Sequence, residues 1–360
     1  MTQSFPKRQI GLAIIGCGRM GSHRARLAAQ HAGVRFLALA DIDEGRLAAL
    51  GRATGAHILS TSADEVVDHP DVDAVVVSTP EFLHVEPTLR ALASGKSVLV
   101  EKPLAMTLED ADKIIAATKT SEAELRVGYS MRYLQRYFVG WDQVRSGAIG
   151  DIVGGTARVY NTRANGLAIL RRSAEATPVI DVLTYLVDMS CWYMGNNEPV
   201  EVVSRGHGRV FREHGFDIDD ATWALLTFAD GAVMSLGVCY MLPAGFPTTG
   251  QSVRFEVFGT DGVLLIDDDH RDQILYTEDG YFNAYTSDQK INLAFLGSRT
   301  SGEWAQNTMF GRLANETRAW LDSLTAGGPC HISTATEARR TLAVTLAIEE
   351  SGRSGQPVLL

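Results

Sequence analysis

Six residues near the start of the chain, Gly16-Cys17-Gly18-Arg19-Met20-Gly21, have the spacing GxGxxG. They follow a short apolar run and open a stretch rich in Ala, Arg and Leu. A strand-to-helix turn of that kind binds phosphate. The first glycine permits a tight turn, the second lets backbone approach a pyrophosphate, and the third lets helix and strand pack closely. The helix that follows offers N–H groups and a partial positive charge to the anion. Asp41 stands 20 residues after Gly21, at the end of the next apolar run, where an acid accepts from a ribose diol. An acid there repels a 2′-phosphate and no arginine follows it directly, which favours NAD over NADP. A second centre is Glu101-Lys102-Pro103, behind another apolar run. Ligands of a parallel sheet bind outside the carboxyl ends of its strands, which puts Glu101 and Lys102 beside the cofactor. Desolvation lowers the pKa of a lysine and lets it move protons. The plain alternatives are a glycine turn without ligand and a surface lysine paired with Glu101.

These residues need elements to position them. Ile10–Gly16, Val34–Asp41, Val72–Thr79, Ser97–Val100 and Leu125–Tyr129 read as strands, and Arg19–His31, Glu44–Ala53, Phe82–Ser94 and Leu108–Thr118 as helices. Strands alternating with helical crossovers predict an α/β Rossmann domain, a parallel sheet with helices on both faces, over residues 1–127. The pattern changes after Gly150. Ile152–Asn161 is one long strand. Asp-Gly turns join Thr222–Phe228 to Val233–Tyr240 and Val253–Phe258 to Val263–Asp267 as hairpins. A helix capped by Thr177, with Pro178 in its first turn, runs to Met194 before Gly195. Thr308–Leu324 and Thr336–Glu349 read as closing helices. Residues 128–360 therefore form an α+β domain built on a mainly antiparallel sheet, and its last helices can pack back on the first domain.

Composition agrees. At roughly 150 residues per domain, 360 residues make two domains. A chain 45% hydrophobic and 21% charged is globular, not disordered or collagen-like. Forty-three acidic against 33 basic residues give a net charge of -10, which argues against nucleic-acid partners. No apolar run approaches the length of a membrane-spanning helix. Met1–Gln9 lacks the apolar core of a secretion signal. Cys17, Cys191, Cys239 and Cys330 lie far apart without metal-ligand spacing. A reduced, cytoplasmic protein with no metal is expected.

The motifs together resemble the Gfo/Idh/MocA oxidoreductases. The segments that carry the resemblance are AIIGCGRMG (13–21), VVVSTPEFLH (75–84) and ALASGKSVLVEKPLA (91–105), and it continues through GVLLIDD to the closing helices. The resemblance implies NAD(P)-dependent redox chemistry at a sugar or polyol carbon. It also implies an open sheet in the second domain through which homodimers or homotetramers assemble. By match to the family pattern, Ser78, Thr79, Pro80 and His84 line the cofactor and Lys102 is the catalytic lysine.

The family's third motif, Asp-x-x-x-His-x-x-Asp, is matched by Asp181, Tyr185 and Asp188, with tyrosine in the histidine position. Spacings of i, i+4 and i+7 put the three on one face of a helix; an amphipathic helix facing solvent would show the same spacing. A free tyrosine, with a pKa of about 10, is a poor base near neutrality unless a cation lowers it. Lys102 is such a cation, and glucose–fructose oxidoreductase and certain keto-sugar reductases resemble this chain in having the tyrosine. Tyr185 then donates a proton in the reductive direction or shares the base role with Lys102, and Asp181 orients them. Asp188 joins the substrate contacts. Arg158, Arg163, Arg171 and Arg172 form a basic stretch where the family tends to bind substrate. Arg163, Arg171 and Arg172 either grip an anionic sugar or sugar acid or are surface or subunit-interface arginines. Tyr129–Tyr137 and Trp192-Tyr193 either stack on sugar faces or belong to the core. The leading expectation is a dehydrogenase or reductase of a sugar, sugar acid or cyclitol. The competing ones are an NAD-dependent glycosidase, which oxidises, eliminates, hydrates and reduces again, and a non-catalytic dinucleotide sensor.

Overall fold

All six residues of the first apolar run are buried, and they form β1 (Ile10–Ile15) at the centre of a parallel sheet. The computed structural model describes residues 8–173, 176–247, 251–267, 274–282, 290–295 and 302–360. The chain divides into two compact units, Met1–Leu134 with Trp304–Leu342, and Gln135–Glu303 with Ala343–Leu360.

In the first unit β1 is followed by α1 (Arg19–Ala29), β2 (Val34–Ala40), α2 (Glu44–Thr54), β3 (Ile58–Ser60), α3 (Ala63–Asp68), β4 (Ala74–Val77), α4 (Val85–Ala93), β5 (Ser97–Glu101), α5 (Leu108–Thr120) and β6 (Leu125–Gly128). Local chemistry sets the boundaries. Asp43, Ser62 and Thr107 cap α2, α3 and α5 by accepting from the backbone N–H three residues on, and Gly55 ends α2 with φ +66°. The parallel strands stand in the order β6-β5-β4-β1-β2-β3. The chain reverses direction across the sheet between β1 and β4, where doubly wound folds bind their ligands. Ile14, Leu39, Val76, Leu99 and Trp320 pack into one core. The expected helix over Phe82–Ser94 is instead a 3₁₀ turn at Glu81–Leu83 followed by α4, with His84 between them.

The second unit begins with α6 (Gln135–Arg145), β7 (Ile152–Thr162) and α7 (Arg163–Arg172); neither helix was anticipated. The capped helix starts as expected, Thr177 Oγ1 accepting from Ile180 N at 3.2 Å. Its first part, Val179–Leu183, is a π-helical turn, and α8 (Thr184–Met194) continues it. Then come β8 (Pro199–His207), the short α9 (Val210–Glu213), β9 (Ala221–Phe228), β10 (Val233–Leu242), β11 (Ser252–Gly259), β12 (Val263–Asp267) and the paired strands β13 (Ile274–Phe282) and β14 (Lys290–Phe295). Both expected hairpins are present, β9 with β10 and β11 with β12. The sheet runs β12-β11-β7-β10-β9-β8, antiparallel except where β7 lies parallel to β10. One sheet face is buried through Leu226, Leu236, Val238, Phe255 and Val257, while Trp223 and Leu265 on alternate positions are 51% and 61% exposed.

The chain closes with β15 (Glu303–Ala305), β16 (Thr308–Phe310), α10 (Arg312–Ala326), β17 (Ser333–Thr334), α11 (Ala335–Ser354) and β18 (Val358–Leu359). The helix expected from Thr308 starts only at Arg312, because Gly311 at φ +111° breaks the helical path. Within the first unit α10 packs on α1.

Candidate cofactor and catalytic site

The three glycines of the first turn have three different physical reasons. A Cβ on Gly16, at φ +89°, would fall 2.6 Å from Ser78 O, and one on Gly21 would fall 1.8 Å from Gly16 O. Beside Gly18 there is nothing within 4 Å, so the backbone there is open to a ligand. Gly18 is also the N-cap of α1, and no side chain caps that helix. The hydroxyl of Ser78, at the end of β4, is buried and has no protein partner. An uncapped helix start, an open glycine and an orphan hydroxyl fit a dinucleotide diphosphate.

Asp41 is tied into this turn. Its Oδ2 accepts from Cys17 N at 2.6 Å and its Oδ1 from Asp43 N at 2.9 Å. A third contact, invisible in the spacing, is Arg46 Nη1 at 3.3 Å from Asp41 Oδ2, with Arg46 Nη2 3.1 Å from Asp43. One arginine between two acids leaves the ribose end of the site negative, which disfavours a 2′-phosphate. The Cys17 thiol is pushed up to about 12 by burial and by Asp41, so it is inert. Arg19 is exposed, whereas Met20 packs against Leu27, Met309 and Leu313 in the core.

Thr79 and Pro80 turn the chain out of β4, and Thr79 Oγ1 donates to Leu83 O at 3.2 Å. His84 is 1% exposed, with Nδ1 2.8 Å from Pro103 O and Nε2 3.1 Å from Thr79 O. Burial lowers its pKa against the pull of the two carbonyls. The ring joins the Thr79-Pro80 turn to the segment after Lys102.

Lys102 is half-buried where β5 ends, and its peptide bond to Pro103 is cis. Glu101 is turned toward Arg24. Its Oε1 accepts from Arg24 Nε at 2.6 Å, and Arg24 Nη2 donates to Glu316 Oε2 at 2.6 Å and Nη1 to Thr317 Oγ1 at 2.9 Å. Arg24 and Glu316 are fully buried. Burial works against the charge on Arg24, but Glu101 and Glu316 hold its pKa above the ordinary value. Burial also raises Glu316 to about 7, partly opposed by Arg24. Arg24 reads as a surface residue of α1, and only the partners far along the chain reveal it.

In the second unit, Asp181 lies within the π turn and accepts from Tyr240 Oη at 2.6 Å. Tyr185, in the first turn of α8, is buried. Asp188 is 0% exposed. The arginines are dispersed. Arg158 lies over the ring of Tyr160 at 4.4 Å with Nη1 on Ser252 Oγ. Arg163 is exposed, Nη2 3.4 Å from Met241 O. Arg171 and Arg172 are exposed at the other end of α7, roughly 12 Å along the axis at ~1.5 Å per residue, too far to grip one anion with Arg163. Tyr129, Tyr133, Tyr137, Trp192 and Tyr193 are buried, so the aromatic segments are core.

Comparison with known proteins agrees with this geometry. A family model described as an oxidoreductase family with an NAD-binding Rossmann fold matches residues 10–129, and the GFO/IDH/MocA C-terminal domain matches 142–265. The chain is 32% identical over 210 residues to 1,5-anhydro-D-fructose reductase of Ensifer adhaerens, covering 57% of this chain and 60% of the reductase. It is 27% identical over 266 residues to scyllo-inositol 2-dehydrogenase (NAD(+)) of Bacillus subtilis, covering 72% of this chain and 74% of the relative. The fold matches that of scyllo-inositol dehydrogenase from Lactobacillus casei, solved with NAD(H) and scyllo-inositol. The TM-score is 0.79 at 22% identity, over 98% of this chain and 99% of that one.

Proposed function

This chain belongs to the Gfo/Idh/MocA family of NAD-binding oxidoreductases, and from that premise we propose that it oxidises a ring carbinol of a cyclitol, sugar or sugar acid, or reduces the matching ketone. The observation that carries the reading is the glycine turn, with its open Gly18, orphan Ser78 hydroxyl and uncapped α1, one strand away from Lys102 at the end of β5. Bound NAD supplies the acceptor for the hydride, so the carbinol becomes a carbonyl as the nicotinamide is reduced. The chain's own residues do the rest. Gly16, Gly18 and the start of α1 hold the diphosphate, and Asp41 accepts from a ribose hydroxyl while it fixes the turn through Cys17 N. The hydroxyl proton goes to Lys102 or Tyr185, and returns from Tyr185 in the reductive direction. Asp181 orients Tyr185. The exposed alternate residues of the second sheet, Trp223 and Leu265 among them, support self-association through that face.

The test follows NADH by its near-ultraviolet absorbance, with NAD and a panel of cyclitols, sugars and sugar acids, and follows aglycone release from their aryl glycosides in parallel. NADH accumulating with a free cyclitol or sugar is the expected result. NAD-dependent aglycone release without net NADH would replace it with a glycosidase. NAD binding retained with no turnover on either panel would make the chain a sensor.

A further inference from the structure

Asp181 sits in the one stretch of its helix that departs from α-helical bonding, the π turn Val179–Leu183. A π turn inserts one residue into a helix and recurs at functional sites. Across from it, β10 carries an irregularity of its own. Cys239 pairs with Tyr160 and Leu242 with Thr162 on β7, so β10 takes three steps where β7 takes two. The extra residue re-aims the side chains of that stretch. Tyr240 lies inside it. A hydrogen bond links the two insertions, Tyr240 Oη donating to Asp181 Oδ2 at 2.6 Å.

The phenol is built in. Tyr240 is 1% exposed and its ring lies 6.3 Å from that of Phe211. Gly166 of α7 leaves room for both rings, since a Cβ there would fall 2.6 Å from each. The Tyr240 backbone N–H is bound to Asp220 O at 2.9 Å. A ring fixed on so many sides holds its hydroxyl at one point, and a hydrogen bond to a carboxylate at this distance is among the stronger ones.

We propose that Tyr240 is a positioning residue, which fixes the carboxylate of Asp181 and through it the proton-handling helix. The inference rests on the reading above that Asp181 orients the proton donor. Regular α-helix and regular β-strand would both have cost less, and the Tyr240–Asp181 bond joins the two irregularities.

Tyr240→Phe keeps the ring and removes one hydroxyl. The expected result is a fall in kcat/KM for the cyclitol or sugar of about 10- to 100-fold, the range for a hydrogen bond to a charged group, with the Kd for NAD unchanged. Asp181→Asn falls further, and the double variant falls no further than Asp181→Asn alone, because Tyr240 acts through Asp181. An unchanged near-ultraviolet circular dichroism spectrum shows that the second unit of each variant is folded. Losses that multiply in the double variant, or Tyr240→Phe at wild-type kcat/KM, overturn the inference while the wild-type enzyme still turns over. A wild-type chain with no turnover overturns the reading of the site together with this inference.

Discussion

Glu101, one residue before Lys102, is held by charge, whereas Asp181, four residues before Tyr185, is held by a neutral phenol. The first clamp is a buried arginine shared by two carboxylates, with Arg24 and Glu316 fully out of water. The second includes a hydrogen bond from a neutral phenol, Tyr240 Oη to Asp181 Oδ2. Desolvating three ionisable groups is expensive, and their attraction offsets the cost only while all partners are present. A neutral donor adds little to stability but gives direction. The neighbour of Lys102 is therefore anchored to something the fold itself depends on. The aspartate of the second unit can change its partner without unfolding anything.

The largest effect that this contrast predicts is on stability. Arg24→Met leaves Glu101 and Glu316 buried without their cation and should cost about 3–5 kcal/mol, as for other broken buried pairs. Urea unfolding measures it, and a loss comparable to that of Tyr240→Phe would erase the contrast. Asp41→Ala should come next. It removes the acceptor of Cys17 N and should weaken NAD binding by about 10- to 100-fold, read by calorimetry. A Kd equal to wild type would mean that the turn does not need its acid.

Glu316 makes the charged clamp pH-dependent. Its pKa is about 7 in the folded protein and 4.5 for the ordinary group. The folded state then binds the proton more tightly, so this site's stabilisation is complete below the unfolded value and is lost as pH rises through about 7. Between about pH 5 and pH 8 the unfolding free energy should fall by on the order of 2–3 kcal/mol through this group. Glu316→Gln, beside Arg24, Thr317 and Arg312, should flatten that slope. A slope that persists unchanged assigns it to another group. The smallest effect concerns Arg163, whose guanidinium reaches the carbonyl next to Tyr240. Arg163→Ala should raise KM for a sugar acid by about fivefold, near 1 kcal/mol, and Arg172→Ala should leave it within about twofold. The reverse order would move the anion contact to the far end of α7.

The legibility of the two units differs for the same physical reasons. Strands buried on both faces appear as plain apolar runs, and β1, β2, β4, β5 and β6 were all found that way. The glycine turn, Asp41 and Lys102 were legible because their spacing is set within one βαβ unit or at a strand end. In the second unit the Asp-Gly hairpin was legible, since its turn chemistry is local. β3 is only three residues long, and α6 and α7 carry no clear apolar stripe. The π turn has no sequence signal, and Tyr240 reads as one more residue of a strand. Arg24 finds its acids 77 and 292 positions away, and nothing along the chain announces such a pairing.

In the proposed reaction a hydride leaves a ring carbon of the substrate and stays on the cofactor. A cyclitol or sugar deuterated at the reacting carbinol tests it most directly, with the products analysed by mass spectrometry. The account predicts deuterium in NADH that accumulates as the ketone forms. Deuterium found only in a sugar product, with no NADH accumulating, would contradict it.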